Sequence, residues 1–520
     1  MAAIVTGKRG RSRRPDVLQK PHGVVHPRVQ KVGPEHFGIV AVDPAKARSK
    51  WMLADFYGNV LVPPTFVDHN GSALDGAVAT LKEAVKSHDI RDVLVAVERT
   101  GRYHHAAQRA FAAGGFDVRT VHPLISKHFR QLSDPGVKTD DKDLAGICLG
   151  AINGFALAEP KVDLLWRQLQ LLTRHRRDLV RKASTLCCQI KEHLESALPG
   201  YAACFPTFWD NRAALTLALR MGLAELQRTS RAKLKAMLDK ANIRYRDCTL
   251  DHVIQWAANA GEPDLAALYH QQIAAELESD RQQKERQIQQ LERQIASLLV
   301  RTAYVLLLSI PGINVVCAGE YAAEMGPICN YANARRITGR AGLYPSRYQS
   351  DKVDHTGRLV RCANRRLRFA LLQIADCLVN CNHYFKRLAA SWRTSGADPR
   401  LVRVRVGNRF ARISLQMVAG GKVFAHPAAQ GRDYVLQKLI DFHHRHQTPP
   451  LQVQQELQQA IRQLPPGEHA AEAQPLQEQL NKIQQSSRQP QPLGELLATV
   501  LAALGVTGIQ SPSSGSSDPA

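Results

Sequence analysis

The sequence lacks several features that mark common protein classes. No apolar run is long enough to span a bilayer, so we expect a soluble protein without a membrane partner. The ten cysteines include no C-x-x-C pair, which argues against a cysteine-based structural zinc site. Their scatter also argues against a disulfide framework and predicts a reducing, cytoplasmic compartment.

Acidic residues are scarce as well. The 520 residues hold 46 Asp and Glu against 69 Lys and Arg, which gives a net charge of +23. So large a surplus attracts polyanions, because neutralising phosphates releases their counterions and favours binding. Since no basic amphipathic helix with a clean apolar face is evident, the charge favours nucleic acid over an anionic membrane.

Composition and periodicity divide the chain into five predicted segments. They are a basic flexible arm (1–35), an α/β domain (36–155), a helical region (156–300), a mostly helical C-terminal domain (301–445) and a largely disordered Gln-, Pro- and Ser-rich tail (446–520). The predicted fold class is therefore α/β followed by α.

Strands alternate with helices in the α/β domain. Short apolar runs predict buried strands, and a Tyr-Gly-Asn turn predicts a hairpin. The predicted elements are strands at 37–43, 93–98 and 116–121, a hairpin around 57–59, and helices at 73–87, 103–113 and 140–150. Beyond them, three-and-four spacing of apolar residues predicts two long helices, ending near 194 and 300. These helices could pair as an antiparallel coiled coil or form an oligomer contact.

Four acids occupy positions where ligands are usually held. Asp43 ends one predicted central strand and Glu98 ends another, while Asp140 and Asp143 lie three apart at a helix start. Four converging carboxylates would repel one another unless a divalent cation neutralised them. Hard oxygen ligands select Mg²⁺ or Mn²⁺, which can activate a nucleophile in phosphoryl transfer.

Each acid also has a structural interpretation. Asp43 precedes a proline and could be a turn residue, and Asp140 could be a helix N-cap. Asp141 could replace Asp140 as the ligand. The joint pattern, rather than any single acid, favours a metal site.

A dense basic stretch at 335–368 predicts contact with phosphates. Ten basic residues there face only two acids. The candidate nucleic-acid-binding residues in it are Arg335, Arg336, Arg340, Arg347, Lys352, Arg365, Arg366 and Arg368. Arg174, Arg177 and Arg181 crowd the first long helix and are further candidates.

Two shorter features lie in the same C-terminal region. Residues 342–350 read as a Gly- and Pro-punctuated loop that carries Ser346 and Ser350 among arginines. A serine activated by neighbouring groups can act as a nucleophile, although a loop serine is more often structural. Pro311-Gly312 between two apolar segments predicts either a helix–hairpin–helix that offers N–H groups to DNA or an ordinary helical hairpin.

The N-terminal motifs resemble a known family. Val95-Ala-Val-Glu98-Arg-Thr-Gly-Arg-Tyr103, Val121-His-Pro123 and Val137-Lys-Thr-Asp140-Asp-Lys-Asp143-Leu-Ala145 resemble the DEDD transposases of the insertion-sequence-one-ten (IS110) family, also called bridge recombinases. That resemblance implies a RuvC-like, RNase H-like domain in which Asp43, Glu98, Asp140 and Asp143 are the metal-binding catalytic acids.

The C-terminal motifs resemble the same family's transposase domain. They are Ser309-Ile-Pro-Gly-Ile313, Ala341-Gly-Leu-Tyr-Pro345, Gln349-Ser350 and Asn364-Arg-Arg-Leu-Arg368. The resemblance implies that Ser350 is a nucleophile that joins covalently to a DNA phosphate. This sequence departs from the family pattern in Asp351 and Ala363, where the family usually has glycine.

The resemblance also implies binding partners, and two alternative functions stay open beside it. It implies donor and target DNA, a structured non-coding bridge RNA, a homodimer or homotetramer, and a prokaryotic, nucleoid-associated protein. One alternative is a RuvC-like structure-selective endonuclease that uses water as nucleophile. Another is a nucleic-acid-binding protein without enzymatic activity.

Overall fold

The chain forms two compact units in a computed structural model. The structure describes residues 25–133, 135–159, 163–351, 353–424 and 431–465. The first unit comprises Met1–Lys161 and the second Val162–Ala520, so the helical region and the C-terminal domain share one unit. Among the described residues, no helix combines the length and apolarity needed to cross a membrane.

A mixed five-stranded sheet forms the centre of the first unit. Its strands are β1 (Phe37–Pro44), β2 (Arg48–Asp55), β3 (Val60–Asp68), β4 (Asp92–Glu98) and β5 (Asp117–Val121), in the order β3-β2-β1-β4-β5. β2 pairs antiparallel with both β1 and β3, which confirms the predicted hairpin. β4 runs parallel to β1 and β5, as expected for apolar runs buried on both faces.

Helices cover both faces of this sheet. They are α1 (Val25–Val32), α2 (Gly71–Ser87), α3 (His104–Ala113), α4 (Pro123–Ser133) and α5 (Asp140–Ile152). Val40 and Val42 of β1 point into a core with α2 and α3, whereas Ile39 and Ala41 point into a core with α1 and α5. The alternation follows from the two-residue period of a strand.

Two helices of this unit differ from the sequence prediction. α4 is absent from the prediction, which ends β5 at His122-Pro123; Pro123 instead begins a helix, where its missing N–H costs nothing. α1 lies within the predicted flexible arm, and that prediction is wrong for residues 25–32. Residues 1–24 of the arm lie outside the described residues.

Buried contacts hold α1 against the sheet. Val25 and Val29 are buried. The Arg28 guanidinium donates to Asp92 Oδ2 at 2.8 Å from Nε and to Asp117 Oδ2 at 2.6 Å from Nη1. The one guanidinium therefore joins α1 to the first residues of β4 and β5.

The described residues of the second unit form helices and one hairpin. Its helices are α6 (Leu164–Ala197), α7 (Arg212–Arg220), α8 (Leu223–Arg228), α9 (Arg231–Lys240), α10 (Asp247–Asn259), α11 (Ala267–Leu299), α12 (Val315–Met325), α13 (Ala334–Ala341), α14 (Arg365–Cys381), α15 (His383–Thr394), α16 (Pro399–Gly420), α17 (Gly431–Arg445) and α18 (Pro450–Gln463). β6 (Pro345–Ser350) and β7 (Val353–Leu359) form the hairpin.

The two long helices α6 and α11 pack antiparallel. Arg176 Nη2 lies 2.6 Å from Glu292 Oε1, and His193 Nδ1 lies 2.9 Å from His270 Nδ1. The order of these contacts runs in opposite directions along the two helices, which confirms the predicted antiparallel pairing. A supercoiled pair stays a prediction.

The ordered chain extends past the predicted start of the tail. Val453, Leu457 and Ala460 of α18 belong to the main hydrophobic core of the second unit. The prediction of disorder from residue 446 is therefore wrong for α18. Residues 466–520 lie outside the described residues.

The Pro-Gly turn is built into the core of the second unit. The segment before it, Ala303–Ser309, is a 3₁₀ helix rather than an α-helix. Lys438 Nζ donates to the carbonyl oxygens of Leu308, Ile310 and Ile313 at 2.8–2.9 Å. These bonds pair three carbonyl oxygens of the segment inside the protein and anchor it to α17, but they do not involve its N–H groups, so both interpretations of the turn stay predictions.

The Arg28 contacts give a stability prediction. Arg28→Met should lower the free energy of unfolding by about 1–3 kcal/mol, because it leaves two part-buried carboxylates without their charged donor. Chemical denaturation followed by circular dichroism measures the change. Arg91→Met is the matched control, since Arg91 pairs with Asp89 on the surface. Equal effects of the two substitutions would show that the Arg28 contacts stabilise the fold no more than an exposed ion pair does.

A candidate acidic metal centre and an exposed serine hairpin

The register of β1 and β4 brings two of the predicted acids to one edge of the sheet. Val42 lies opposite Val97 in the parallel pair, and Asp43 and Glu98 follow directly. Helix α5, which packs against β1, begins at Asp140 and carries Asp143 one turn later. Three elements that are distant in sequence therefore converge on one place.

The electrostatics of Asp43 reflect that convergence. Burial, and then the negative charges of Glu98, Asp143 and Asp140 in that order, together raise the pKa of Asp43 from 3.8 to about 6. Lys138 opposes the shift. Like charges disfavour ionisation only at short range, so the four carboxylates form a cluster.

Two contacts bear on whether Asp140 or Asp141 is the site residue, and on whether Asp140 caps the helix. Asp141 is exposed and lies 2.5 Å from Lys50 Nζ, and its charge is not among those that raise the Asp43 pKa. The N-cap of α5 is Thr139, whose hydroxyl accepts from Lys142 N. The geometry therefore favours Asp140 over Asp141 as a site residue and excludes the N-cap role for Asp140.

Helix α4 supplies partners that the sequence analysis missed. Ser126 Oγ donates to Glu98 Oε1, and Arg130 Nη1 donates to Asp143 Oδ1. Thr100 Oγ1 donates to the other Glu98 oxygen at 3.0 Å. Pro123, a common first residue of a helix, was the one sequence signal for this element.

The close approach of α4 and α5 depends on a glycine. A Cβ at Gly146 would clash with the backbone carbonyl of Ser126. Without a side chain at that position, α4 can lie near enough to α5 for Ser126 and Arg130 to reach the acids.

The donor set of the acidic cluster fits a hard divalent cation. It consists of carboxylate oxygens, with neither thiolate nor imidazole among the four residues. Mutual repulsion raises the pKa of Asp43, and a cation would relieve that repulsion. Arg130 already neutralises part of the charge at Asp143, so this oxygen would have to be shared or released when a cation binds.

The candidate nucleophile lies on the hairpin of the second unit. Ser350 is the last residue of β6, pairs with Val353 across the turn, and is exposed like the rest of its strand. Residues 345–350 of the predicted loop are therefore strand β6 of a β-hairpin. Tyr348 stacks on His355 across the strands, with ring centroids 5.2 Å apart.

Asp351 occupies the special backbone position of this turn. Its φ of 46° lies in the left-handed region, which favours glycine and which Asp tolerates better than most residues. The departure from the family's usual glycine is thus compatible with the turn. Its cost is some backbone strain next to Ser350.

The candidate phosphate-binding arginines of the hairpin region fall into two groups. The first group comprises Arg335, Arg336, Arg365 and Arg366, which are exposed and make no side-chain hydrogen bond or ion pair among the described residues. Three others have protein partners: Arg340 donates to the Met325 carbonyl, Arg347 pairs with Asp354 at 2.5 Å, and Arg368 donates to the Ala341 carbonyl at 2.8 Å. Lys352 lies outside the described residues.

The arginines of α6 also differ in their surroundings. Arg174 Nε lies 2.8 Å from Glu324 Oε1, and Arg177 Nη2 lies 2.8 Å from Glu320 Oε2. These pairs with buried carboxylates favour a structural role for both arginines over the predicted phosphate contact. Arg181 is exposed, with Asp178 at 3.7 Å, and it keeps its predicted role.

Comparisons with known proteins agree with the motifs. A family model for DEDD transposases of the IS110 type, described as "Transposase", matches residues 40–199. A second model, described as "Transposase IS116/IS110/IS902 family", matches residues 304–390. The two matches occur in the order of the two motif regions. The two matched regions resemble the IS110 transposase family and together cover a little less than half of the chain.

Two relatives show how far this likeness extends. The chain is 24% identical over 350 residues to the insertion element IS116 uncharacterized 44.8 kDa protein of Streptomyces clavuligerus, which covers 65% of this chain and 83% of that one. It is 27% identical over 144 residues to the transposase for insertion sequence element IS1328 of Yersinia enterocolitica, covering 27% of this chain and 43% of that one.

The acidic cluster predicts pH-dependent metal binding. Protons compete with the cation for Asp43, so the affinity for Mn²⁺ should fall about tenfold per pH unit below the Asp43 pKa and level off above it. Isothermal titration calorimetry at several pH values measures this. Asp43→Asn should abolish the binding, whereas Asp141→Asn should preserve it. Equal losses in both variants would contradict the assignment of the cluster.

The hairpin turn predicts the effect of restoring the family residue. Asp351→Gly should stabilise the turn by a few tenths to about 1 kcal/mol, because glycine adopts a positive φ without strain. Asp351→Val should destabilise it, since a β-branched residue is disfavoured there. Hydrogen exchange of the β6 and β7 amides measures local stability, and faster exchange in Asp351→Gly would contradict the prediction.

Proposed function

We propose that this chain is an insertion-sequence transposase that cuts and rejoins DNA with two sets of residues. Asp43, Glu98, Asp140 and Asp143 would hold Mg²⁺ or Mn²⁺, and Ser350 would be the nucleophile. The observation that carries the proposal is the convergence of the four acids, expressed in the raised pKa of Asp43. The arrangement of these acids at the edge of a mixed sheet supports an RNase H-like interpretation of the first unit.

The proposed reaction is a transesterification at a DNA phosphate. Ser350 Oγ attacks the phosphorus, a phosphoserine bond forms, and the bond to the sugar oxygen breaks. The leaving oxygen takes up a proton, and the serine proton passes to a base. A bound cation supplies Lewis acidity that stabilises charge on the phosphate oxygens. Religation reverses these steps with the sugar hydroxyl of the partner strand.

The chain's own residues prepare this step. The exposed position of Ser350 at the end of β6 allows a duplex or single strand to approach. Exposed Arg365 and Arg366 at the start of α14, with Arg335 and Arg336 on α13, would bind the phosphates on either side of the cut. Ser126 and Arg130 would orient Glu98 and Asp143 toward the cation.

The family resemblance extends the proposal to partners. We propose that a structured bridge RNA selects the donor and target DNA, and that the chain acts as a homodimer or homotetramer. The exposed arginines support binding of a polyanion and do not distinguish RNA from DNA. Sequencing the RNA that copurifies with the protein tests the RNA partner.

Trapping a covalent adduct tests the nucleophile. Wild-type protein, Mn²⁺ and labelled DNA carrying the flanks of its own gene should yield an adduct that survives denaturation. Ser350→Ala should reduce adduct and strand joining by roughly 10³-fold or more, as expected when a nucleophile is removed. Ser346→Ala is the matched control, because Ser346 lies on the same exposed strand and its hydroxyl already donates to the Arg358 carbonyl.

Related assays separate this proposal from two alternatives, a nuclease that uses water and a protein that only binds nucleic acid. If Ser350→Ala still cuts four-way junction DNA at the wild-type rate, the chain is a nuclease that uses water. If Asp43→Asn leaves cutting and joining unchanged, the acids are not catalytic. Binding of DNA without any cutting by the wild type would favour a nucleic-acid-binding protein.

A further inference from the structure

A second group of metal-binding side chains lies in the first unit, separate from the four acids. It comprises His104 and His105, the first two residues of α3, and Glu159, which follows α5. One ligand atom from each of the three lies within 4.8 Å of the others. His104 Nε2 is 3.7 Å from Glu159 Oε1, and the two imidazole rings have centroids 4.1 Å apart.

His104 is the observation that makes this more than a surface cluster. Its side chain is only 2% exposed, and neither ring nitrogen makes a well-formed hydrogen bond, although the Thr100 backbone and the Glu159 carboxylate lie close enough to raise its pKa. Buried polar atoms without partners are rare because leaving them unpaired costs free energy. Burial, and then the charge of His105, lower the pKa of His104, so its imidazole is neutral and keeps a lone pair for a ligand.

The fold brings Glu159 to these histidines. Leu157 forms two backbone hydrogen bonds with Thr120 of β5, each 2.9 Å, which fix the segment after α5 to the edge of the sheet. Gln108, one turn into α3, donates through Nε2 to Glu159 Oε2 at 3.3 Å and lies 3.4 Å from His105 Nδ1. Gln108 thus orients two of the three residues in the way that outer-shell groups orient metal ligands.

Two nearby features oppose a cation and are weak. Arg99 Nε lies 3.4 Å from Glu159 Oε1, but this arginine is 62% exposed and can turn into solvent at little cost. The N-terminus of α3 carries a partial positive charge, which the Glu159 carboxylate offsets.

We propose that His104, His105 and Glu159 bind one zinc ion, with water as the fourth ligand. Two imidazole nitrogens and one carboxylate oxygen are a donor set that zinc prefers and that Mg²⁺ does not. The ion connects the start of α3 to the segment that follows α5, and it gives the buried His104 its missing partner. The site thereby stabilises the first unit independently of the acidic cluster.

Cobalt and zinc titrations of the untagged full-length protein test the site. Excess Mg²⁺ is kept present to occupy the acidic cluster, and Co²⁺ absorption reports the coordination. The wild type should bind one equivalent with visible bands of four-coordinate cobalt and without thiolate charge-transfer bands, although the chain has ten free cysteines. Zinc should also raise the temperature of unfolding, since it binds the folded state.

Matched variants decide the outcome. His105→Ala and Glu159→Gln should weaken binding at least about tenfold, because even outer-shell losses cost that much. His88→Ala, which removes an exposed histidine at the end of α2, and Asp43→Asn should bind like the wild type. Circular dichroism checks that each variant is folded.

Three results would overturn the zinc proposal. The first is wild-type affinity in His105→Ala and Glu159→Gln. The second is loss of the bound equivalent in Asp43→Asn, which would locate the ion among the four acids. The third is a thiolate charge-transfer band, which would assign it to cysteine. Each of these leaves the Ser350 adduct experiment unaffected, so the two proposals fail separately.

Discussion

The repulsion among four carboxylates at one edge of the sheet is the constraint on which the first unit depends. The parallel register of β1 and β4 fixes Asp43 beside Glu98, and α5 adds Asp140 and Asp143. Hydrophobic packing on both faces of the sheet holds these elements together against the repulsion. The pKa of Asp43, raised by burial and by its neighbours, is the measurable sign of that conflict. In the proposed function, a bound cation would relieve this conflict.

The sequence predicted those parts of the fold that local patterns determine. Apolar runs and strand-end acids are local, so β1, β4 and the positions of Asp43 and Glu98 could be read directly. The partners of the acids could not be predicted. Ser126 meets Glu98 across 28 residues of sequence, and that contact depends on how closely α4 approaches α5. The same limit applies to α6: a basic run does not reveal that Arg174 faces Glu324, 150 residues away.

The contacts that hold the serine hairpin are, by contrast, local in sequence. The ion pair between Arg347 and Asp354 is local and exposed, and the strands bury little apolar surface. An isolated two-stranded hairpin is marginally stable in water. The positive φ of Asp351 puts additional strain directly beside Ser350, at the position where this sequence departs from the family pattern.

The second unit buries some of the chain's few acidic residues and exposes many of its arginines. Buried glutamates such as Glu320 and Glu324 pair with Arg174, Arg176 and Arg177, and a charge removed from water is stable only with such a partner. Acids used in this way cannot balance the surface. With 46 acids against 69 Lys and Arg, the surplus must appear on exposed side chains, and Arg335, Arg336, Arg365 and Arg366 are four of them. Each buried pair removes a positive charge together with a negative one, so the positive surface near the hairpin does not depend on how the core is stabilised. Replacing the buried Arg–Glu pairs by apolar residues would leave that surface charge intact, which separates fold stability from nucleic-acid affinity in this chain.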